Sequence, residues 1–358
     1  MDELTIKSFD PENLNNLENQ WRYLENGSDM TVFQSYDWYK DINALYFKEK
    51  IKNKFRHWEY LLVEKNKQPV MIAPVQIILF GLHYKYLGLK RGYYFIGRQG
   101  YTDYLNYIYL DFSAEAFDLI EEYLNSKYHI NFHCFEQLLD STQMARYIIN
   151  NFTHKKSEVY CAALTLPETF QDYIKMLSKS TKQNIRTALN RQRRDGKNLE
   201  HTLVYNISEK EANELMAIRE KRLKDKKKRS REKATIAGRI YGSLRGLVKS
   251  IFDAKHDIIK GECSSWCFLV KDGARIVSFF WGIYEKSKKR YYVILAGVDP
   301  EYTWYSPSIS HLYMFIEEMY NNDNVIFDVL DFTRGGERYK EDLGAKKNLA
   351  WTIRFSSI

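Results

Sequence analysis

The pattern of apolar and polar positions along the 358-residue chain runs through one order of elements twice. In the first half, polar segments with helical spacing at 11–25 and 36–47 precede two extended apolar runs, 57–64 and 70–79. The turn-like Lys65-Asn-Lys-Gln-Pro69 separates those runs, and a strand over 104–110, a helix over 114–126 and a strand over 131–135 follow. In the second half, runs at 266–270 and 275–284 flank Lys271-Asp-Gly273, a strong hairpin signal. Residues 290–298 then read as a strand, 307–320 as a helix and 325–330 as a strand. Two copies of hairpin, strand, helix, strand predict a tandem duplication of a mixed α/β unit. The boundary falls near Ser157, where 158–166 reads as the first strand of the second copy, giving domains 1–156 and 157–358.

The second copy carries a helical insertion, about 167–255. One of its helices starts on the capping-box sequence Ser180-Thr-Lys-Gln183 and stops at Gly196. Along it Ile185 and Leu189 face a core, while Lys182, Arg186 and Arg193 recur on another face. A second apolar–basic stretch, 209–222, leads into the run 224–233, which reads as an exposed loop.

Composition changes this picture only in part. Hydrophobic residues make up 44% and charged residues 28%, as in a folded globular protein, and the 28 tyrosines and 20 phenylalanines mean core packing first. The polar N-terminus is not a secretory signal, and the most apolar run, 71–82, is too short to cross a bilayer, so a cytoplasmic protein is expected. In that compartment Cys134, Cys161, Cys263 and Cys267 form no disulfides. Neither Cys263 and Cys267 nor His129 and His133 have metal-ligand spacing on a helix, and no metal is expected. The net charge of +8 is concentrated: ten basic residues against three acidic ones over 219–233, and seven against one over 179–197. Two such runs favour a partner that carries phosphates.

Two clusters offer chemistry. Ser306 caps the helix that Pro307 opens, and its free N–H groups, with Ser306, Ser308 and Ser310, suit a pyrophosphate. Asp331-Phe-Thr-Arg-Gly-Gly-Glu-Arg-Tyr-Lys340 follows the last strand of the repeat. Asp331 or Glu337 is placed to take a proton from an amine, Tyr339 to donate one, and Arg334 or Lys340 to hold an anion. A plain hairpin turn with a surface Arg–Glu pair reads equally well from the residues alone.

The order Tyr305-Ser-Pro-Ser308, helix, strand, Asp331, Arg334-Gly335, Glu337, Tyr339-Lys340 resembles the CelD/BcsL-type branch of the GNAT acetyltransferases. The basic segment Leu177-Ser-Lys-Ser-Thr-Lys-Gln-Asn-Ile-Arg-Thr-Ala188 is also similar to one in FemAB-type peptidyltransferases, and Tyr101-Thr-Asp-Tyr-Leu-Asn-Tyr107 resembles an Asp-Tyr segment in the family's first half. One departure is Ser308, where the family usually has glycine. The resemblance implies two tandem GNAT-like units, each a mostly antiparallel mixed sheet flanked by helices, the second binding acyl-coenzyme A such as acetyl-coenzyme A. It implies an N-acyltransferase in which the amine of an acceptor, an amino sugar or nucleotide-linked amino sugar of cell-surface polysaccharide synthesis, attacks the thioester directly. The pantetheine arm would lie along 291–298, with Leu295, Gly297 and Val298 as contacts and N–H groups near Gly297 to Asp299 facing the developing oxyanion. Aminoacyl transfer from charged tRNA onto a peptide is the alternative that the basic runs support. A non-catalytic binding protein that has kept only the shell is a third.

Overall fold

The computed structural model describes residues 3–48, 56–82, 89–96, 102–130, 132–233 and 265–356. Cys263 and Tyr101 lie outside them, as does the insertion beyond Lys233. The chain divides into two compact units: Met1–Tyr160 with Leu349–Ile358, and Cys161–Asn348.

In the first unit, β1 (Leu4–Phe9), α1 (Glu18–Leu24) and α2 (Tyr36–Lys48) lead into the hairpin β2 (Arg56–Lys65) and β3 (Gln68–Leu82). Asn66 and Lys67 turn that hairpin with φ of 52° and 67°. Strand β4 (Leu89–Phe95), α3 (Ala114–Tyr128), β5 (Phe132–Leu139) and α4 (Gln143–Asn151) follow. In the second unit come β6 (His154–Thr165), α5 (Phe170–Met176), α6 (Lys179–Arg194), β7 (Leu199–Tyr205) and α7 (Glu209–Lys233). After them run β8 (Ser265–Asp272), β9 (Arg275–Glu285), β10 (Arg290–Val298), α8 (Pro307–Asn321), β11 (Val329–Arg334) and α9 (Arg338–Asp342), and β12 (Lys346–Ser356) returns to the first unit from Leu349 on.

The strand orders, β1-β2-β3-β4-β5-β12 and β7-β8-β9-β10-β11-β6, show the same design. In each unit four antiparallel strands end in one parallel pair, β4 with β5 and β10 with β11, around a crossover helix. An antiparallel strand then closes the sheet, β12 on β5 and β6 on β11. The mixed α/β class and the duplication are therefore as the residue pattern predicts. The chain-terminal β12 completes the first unit, and β6, directly after the first unit's last helix, completes the second.

Several elements differ from expectation, each for a local reason. Residues 104–110 form no strand: Tyr104 has φ of 52°, and only Ile108 bridges, to Ile72. Their rings serve as packing, with Tyr104, Leu105, Tyr107, Ile108 and Tyr109 all buried. Helix α6 starts two residues before the expected box, because Ser178 Oγ, at 3.0 Å, accepts the Thr181 N–H. Its end at Gly196 is as expected. Gly196 takes φ of 63°, and the N–H groups of Gly196 and Lys197 bond the Arg193 and Gln192 carbonyls. The reciprocal capping box sits instead on α7, where Ser208 Oγ accepts the Glu211 N–H and Glu211 accepts the Ser208 N–H at 2.9 Å. Residues 224–233 continue α7 and are not a loop, since Lys, Arg and Glu are good helix formers even without an apolar stripe.

Candidate active site

Strands β10 and β11 run together for three residues only. Arg290 lies beside Val329, Tyr291 beside Leu330 and Tyr292 beside Asp331, and there the ladder stops, although β10 continues to Val298. On its other side β10 stays paired with β9, with a bulge between Val293 and Leu295. An extra residue in a strand exchanges the two sides to which its backbone groups point. Before the bulge, the Val293 carbonyl faces β11 and accepts Thr333 Oγ1 at 2.8 Å. Beyond it, the Asp299 N–H donates to the Val277 carbonyl at 2.8 Å, so alternation turns Leu295 and Gly297 toward β9 as well. Ala296 and Val298 face the side that β11 has left. There Arg222 of α7 donates to the Ala296 carbonyl at 3.4 Å. Gly297 is packed too tightly for a side chain: a Cβ would come 2.4 Å from the Phe279 ring.

Asp331 holds this fork open from the other strand. It lies inside β11, not beyond its end, because the strand runs over 329–334 and the apolar residues 325–327 precede it. The carboxylate is buried, accepts the Thr333 N–H at 2.8 Å and lies 3.8 Å from Arg290. That bond fixes Thr333 at φ of 50°, a left-handed conformation rare for a β-branched residue. Thr333 in turn reaches across to Val293, so Asp331, Thr333 and the bulge form one staple where the strands part.

The turn beyond it is built around Lys340. Its buried ammonium donates to the carbonyls of Phe332 at 3.1 Å, Arg334 at 2.7 Å and Gly335 at 3.1 Å, and pairs with Glu337 at 3.0 Å. Lys340 is thus committed to the turn and has no anion to hold beyond Glu337. Burial pushes the Glu337 carboxyl up, but hydrogen bonding and charge from Lys340 outweigh this and hold it below its ordinary range. Tyr339 lies on the first turn of α9, its ring beside Phe280 and Phe332. Burial, and then Glu337, raise its hydroxyl well above the ordinary range, so it stays protonated. The backbone of Arg334 carries the last β11 pairing, to Cys161. The segment is therefore a strand end and a short helix, not the hairpin that the sequence also allowed.

Gly335 is fixed twice, by φ of 115° and by the Glu337 carboxylate, which a Cβ would meet at 2.2 Å. Gly335→Ala is therefore expected to destabilise the protein by about 1–3 kcal/mol and to break the Glu337–Lys340 pair. Urea unfolding measures the first effect, and the crystal structure of the variant shows the second.

At the start of α8 the three serines have different surroundings. Ser306 is left-handed, with φ of 44° and ψ of 49°, and makes no side-chain cap, so its expected capping role is not seen. Ser308 Oγ bonds Ser278 Oγ on β9 at 2.7 Å, and Ser278 is the register partner of Val298. Ser310 is fully buried, donating to the Ser306 carbonyl at 3.0 Å and accepting from Gln192 at 3.1 Å. Gln192, from α6, also donates to the Tyr305 carbonyl at 3.0 Å, and its Oε1 faces His311 Nε2 at 3.1 Å. These bonds brace the loop that enters α8 without using the helix's own N–H groups.

His311 is held neutral there. Burial, and then the charge of His201, push its imidazole down to about 4 from an ordinary 6.5. An unfolded histidine takes up a proton near 6.5, which the folded protein refuses until about pH 4. Stability is therefore complete above 6.5 and falls as pH drops through that window, by about 2–3 kcal/mol at pH 4.5. Urea unfolding at pH 7 and 4.5 measures this loss, and His311→Gln is expected to reduce it.

Among the described residues the first unit repeats the bulge beside the fork but not its chemistry. Gln137 stands at φ of 62° in a bulge that separates the Phe135–Ile353 and Leu138–Trp351 pairs, as Thr333 does between Asp331–Ala163 and Arg334–Cys161. Phe135 occupies the place of Asp331. It packs against Tyr93, Phe95, Tyr107, Phe117 and Phe355, with ring centroids 4.9–6.1 Å away. Among the described residues the carboxylate staple belongs to the second unit alone.

Sequence reasoning missed Arg222, Thr333 and Gln192. The bulge leaves no signal in the sequence, since 291–298 is one apolar run; it shows only in the burial pattern, where Tyr291 to Val293 are buried in succession and the rest of β10 alternates. Among the described residues no helix is long and apolar enough to cross a membrane, which says nothing of a strand-built span.

No curated protein matches the sequence. Among solved structures, a conserved protein of unknown function from Bacteroides thetaiotaomicron is 11% identical, with a TM-score of 0.48 over 99% of this chain and 100% of that one. A tandem GNAT protein from the clavulanic acid biosynthesis pathway is 7% identical, with a TM-score of 0.48 over 99% of each chain. FemX is 11% identical, with a TM-score of 0.47 over 98% of this chain and 96% of its own. Residues 179–341, from α6 to α9 and so spanning the fork, match the family model described as an acetyltransferase (GNAT) domain. The second unit thus carries an acyltransferase domain of the GNAT type.

Proposed function

We propose that the fork between β10 and β11 binds the arm of an acyl-coenzyme A and that the enzyme transfers its acyl group to an amine. The observation that carries this reading is the edge of β10 beyond Val293, where Ala296 and Val298 turn their backbone groups to a side that β11 has left. An amide-bearing arm laid there would complete the sheet. The pyrophosphate would reach the N-terminus of α8, whose free N–H groups and partial positive charge suit it, with Ser308 at the rim and Ser306 and Ser310 shaping the loop. Leu295, Gly297 and Val298 form the strand on which the arm lies, and the Val298 N–H is the donor available to the developing oxyanion.

In this reading the acceptor nitrogen attacks the thioester carbon, the carbon–sulfur bond breaks, and the thiolate leaves with a proton from the Tyr339 hydroxyl. Glu337, the carboxylate open to solvent, takes the proton lost by the amine. Asp331 keeps the fork in shape, and Arg334 lines the turn. The acceptor is an amine on a small molecule, an amino sugar or nucleotide-linked amino sugar used for surface polysaccharide. Calorimetry with acetyl-coenzyme A tests the reading: one site per chain supports it, and no heat at millimolar concentration refutes it.

A second reading has one observation in its favour. Lys182, Arg193 and Arg194 lie exposed or half-exposed on α6, and Arg191 stacks 3.6 Å from the exposed ring of Trp304. Cations beside an exposed aromatic ring suit a nucleic acid strand, hence aminoacyl transfer from tRNA. A salt series separates the two readings. Steeply salt-dependent tRNA binding favours the second, and its absence removes it.

A further inference from the structure

We infer that Arg222 is the residue that selects the acceptor, and that the acceptor amine carries an anionic group, a phosphate or a carboxylate, close to its nitrogen. The inference rests on the acyltransfer reading of the fork. Arg222 is the cation that spans it. Its Nη1 meets the Ala296 carbonyl on the open edge of β10. On the far side its charge reaches Glu337 and the Tyr339 hydroxyl, lowering both. The guanidinium therefore sits on the strand that would hold the acyl donor, near enough to the turn that would handle protons for its charge to be felt there.

Its place is fixed by the residue before it on α7. Lys221 pairs with Asp299 at 3.0 Å and with Glu301 at 2.8 Å, both at the end of β10, where Arg275 joins the same two carboxylates. The four charges staple α7 to the end of the strand, and Ala212, Leu215 and Ile218 are buried along the helix face that leads by its spacing to Arg222. Arg222 itself is exposed, and among the described residues no carboxylate lies within ion-pair distance of it. One long hydrogen bond to a carbonyl leaves most of its five N–H donors unused. Such a fork of donors matches the oxygens of a phosphate or carboxylate.

Two other cations at the fork are committed elsewhere. Lys340 serves three carbonyls and Glu337, and Arg290 lies beside Asp331 inside the sheet. A neutral amine would leave Arg222 facing only Glu337 and Tyr339. An amine with an adjacent anion would satisfy the guanidinium and set its nitrogen toward Glu337 at the same time.

The test compares glucosamine 6-phosphate with glucosamine as acceptors for the wild type, Arg222→Gln and Arg222→Lys, together with calorimetric binding of each amine. For the phosphorylated amine, Arg222→Gln is expected to raise KM and Kd by about 10-fold or more, the weight of a charge-assisted hydrogen bond. For glucosamine the change should be several-fold smaller, and Arg222→Lys should recover part of the loss. Equal effects on both amines, no effect on either, or tighter acetyl-coenzyme A binding by Arg222→Gln would overturn the inference. If acetyl-coenzyme A binds no variant while the selective loss of phosphorylated-amine binding persists, the acyltransfer reading falls and the anion site stands.

Discussion

Replacing Lys340 with methionine is expected to lower the unfolding free energy by about 3 kcal/mol, one of the two largest effects anticipated here. Methionine keeps the length and volume of the side chain but not the ammonium. Three carbonyls, of Phe332, Arg334 and Gly335, then lose their common donor, and Glu337 loses its partner. The Phe332 carbonyl belongs to a residue only 2% exposed, so water replaces its bond poorly. In a thermal scan the loss reads as a Tm lower by roughly 6–12 °C. Because the same ammonium holds the turn that carries Glu337 and Tyr339, activity is expected to fall with it. A Tm within 1–2 °C of the wild type would mean that the turn is held by its backbone alone.

The second large effect is on rate. Tyr339→Phe keeps the ring against Phe280 and Phe332 and removes a hydroxyl for which no hydrogen-bond partner appears among the described residues. Stability should change little. If the hydroxyl donates to the departing thiolate, kcat falls by about 100-fold, while acetyl-coenzyme A affinity stays as in the wild type. The proton is available throughout the neutral range, since burial holds the hydroxyl above its ordinary pKa. The rate therefore loses no alkaline limb to this group below pH 10. Steady-state kinetics across pH 6–10 measures both effects, and an unchanged kcat assigns the proton to solvent.

Much of the fold was legible because it rests on side-chain pattern. Strand β10 spans 290–298 as its residues suggest, Gly273 turns the β8–β9 hairpin at φ of 57°, and Pro307 opens α8. What was not legible rests on tertiary hydrogen bonds. Residues 325–330 are more apolar than 329–334, yet the strand is the latter, since the Asp331–Thr333 bond and the pairing with β6 decide it. The aromatic run 104–110 has every composition cue of a strand and pairs at one residue only. Among the chemical groups, the segment from Asp331 to Lys340 was recognisable by sequence. Its division of labour was not, because nothing in the order of residues shows that Lys340 would turn back onto three carbonyls. Arg222 was hidden for a different reason: in a run with ten basic residues, only the pairing of Lys221 with Asp299 and Glu301 distinguishes its neighbour.

If the open edge of β10 receives an acyl-coenzyme A arm, amide hydrogen exchange resolved to single residues along 290–299 will register it. Without ligand, the amides of Ala296 and Val298 should exchange fast, while those of Leu295, Gly297 and Asp299, turned toward β9, exchange slowly. Saturating acetyl-coenzyme A should slow Ala296 and Val298 and leave the other three as they were. Unchanged exchange at Ala296 and Val298 under saturating acetyl-coenzyme A would contradict the account.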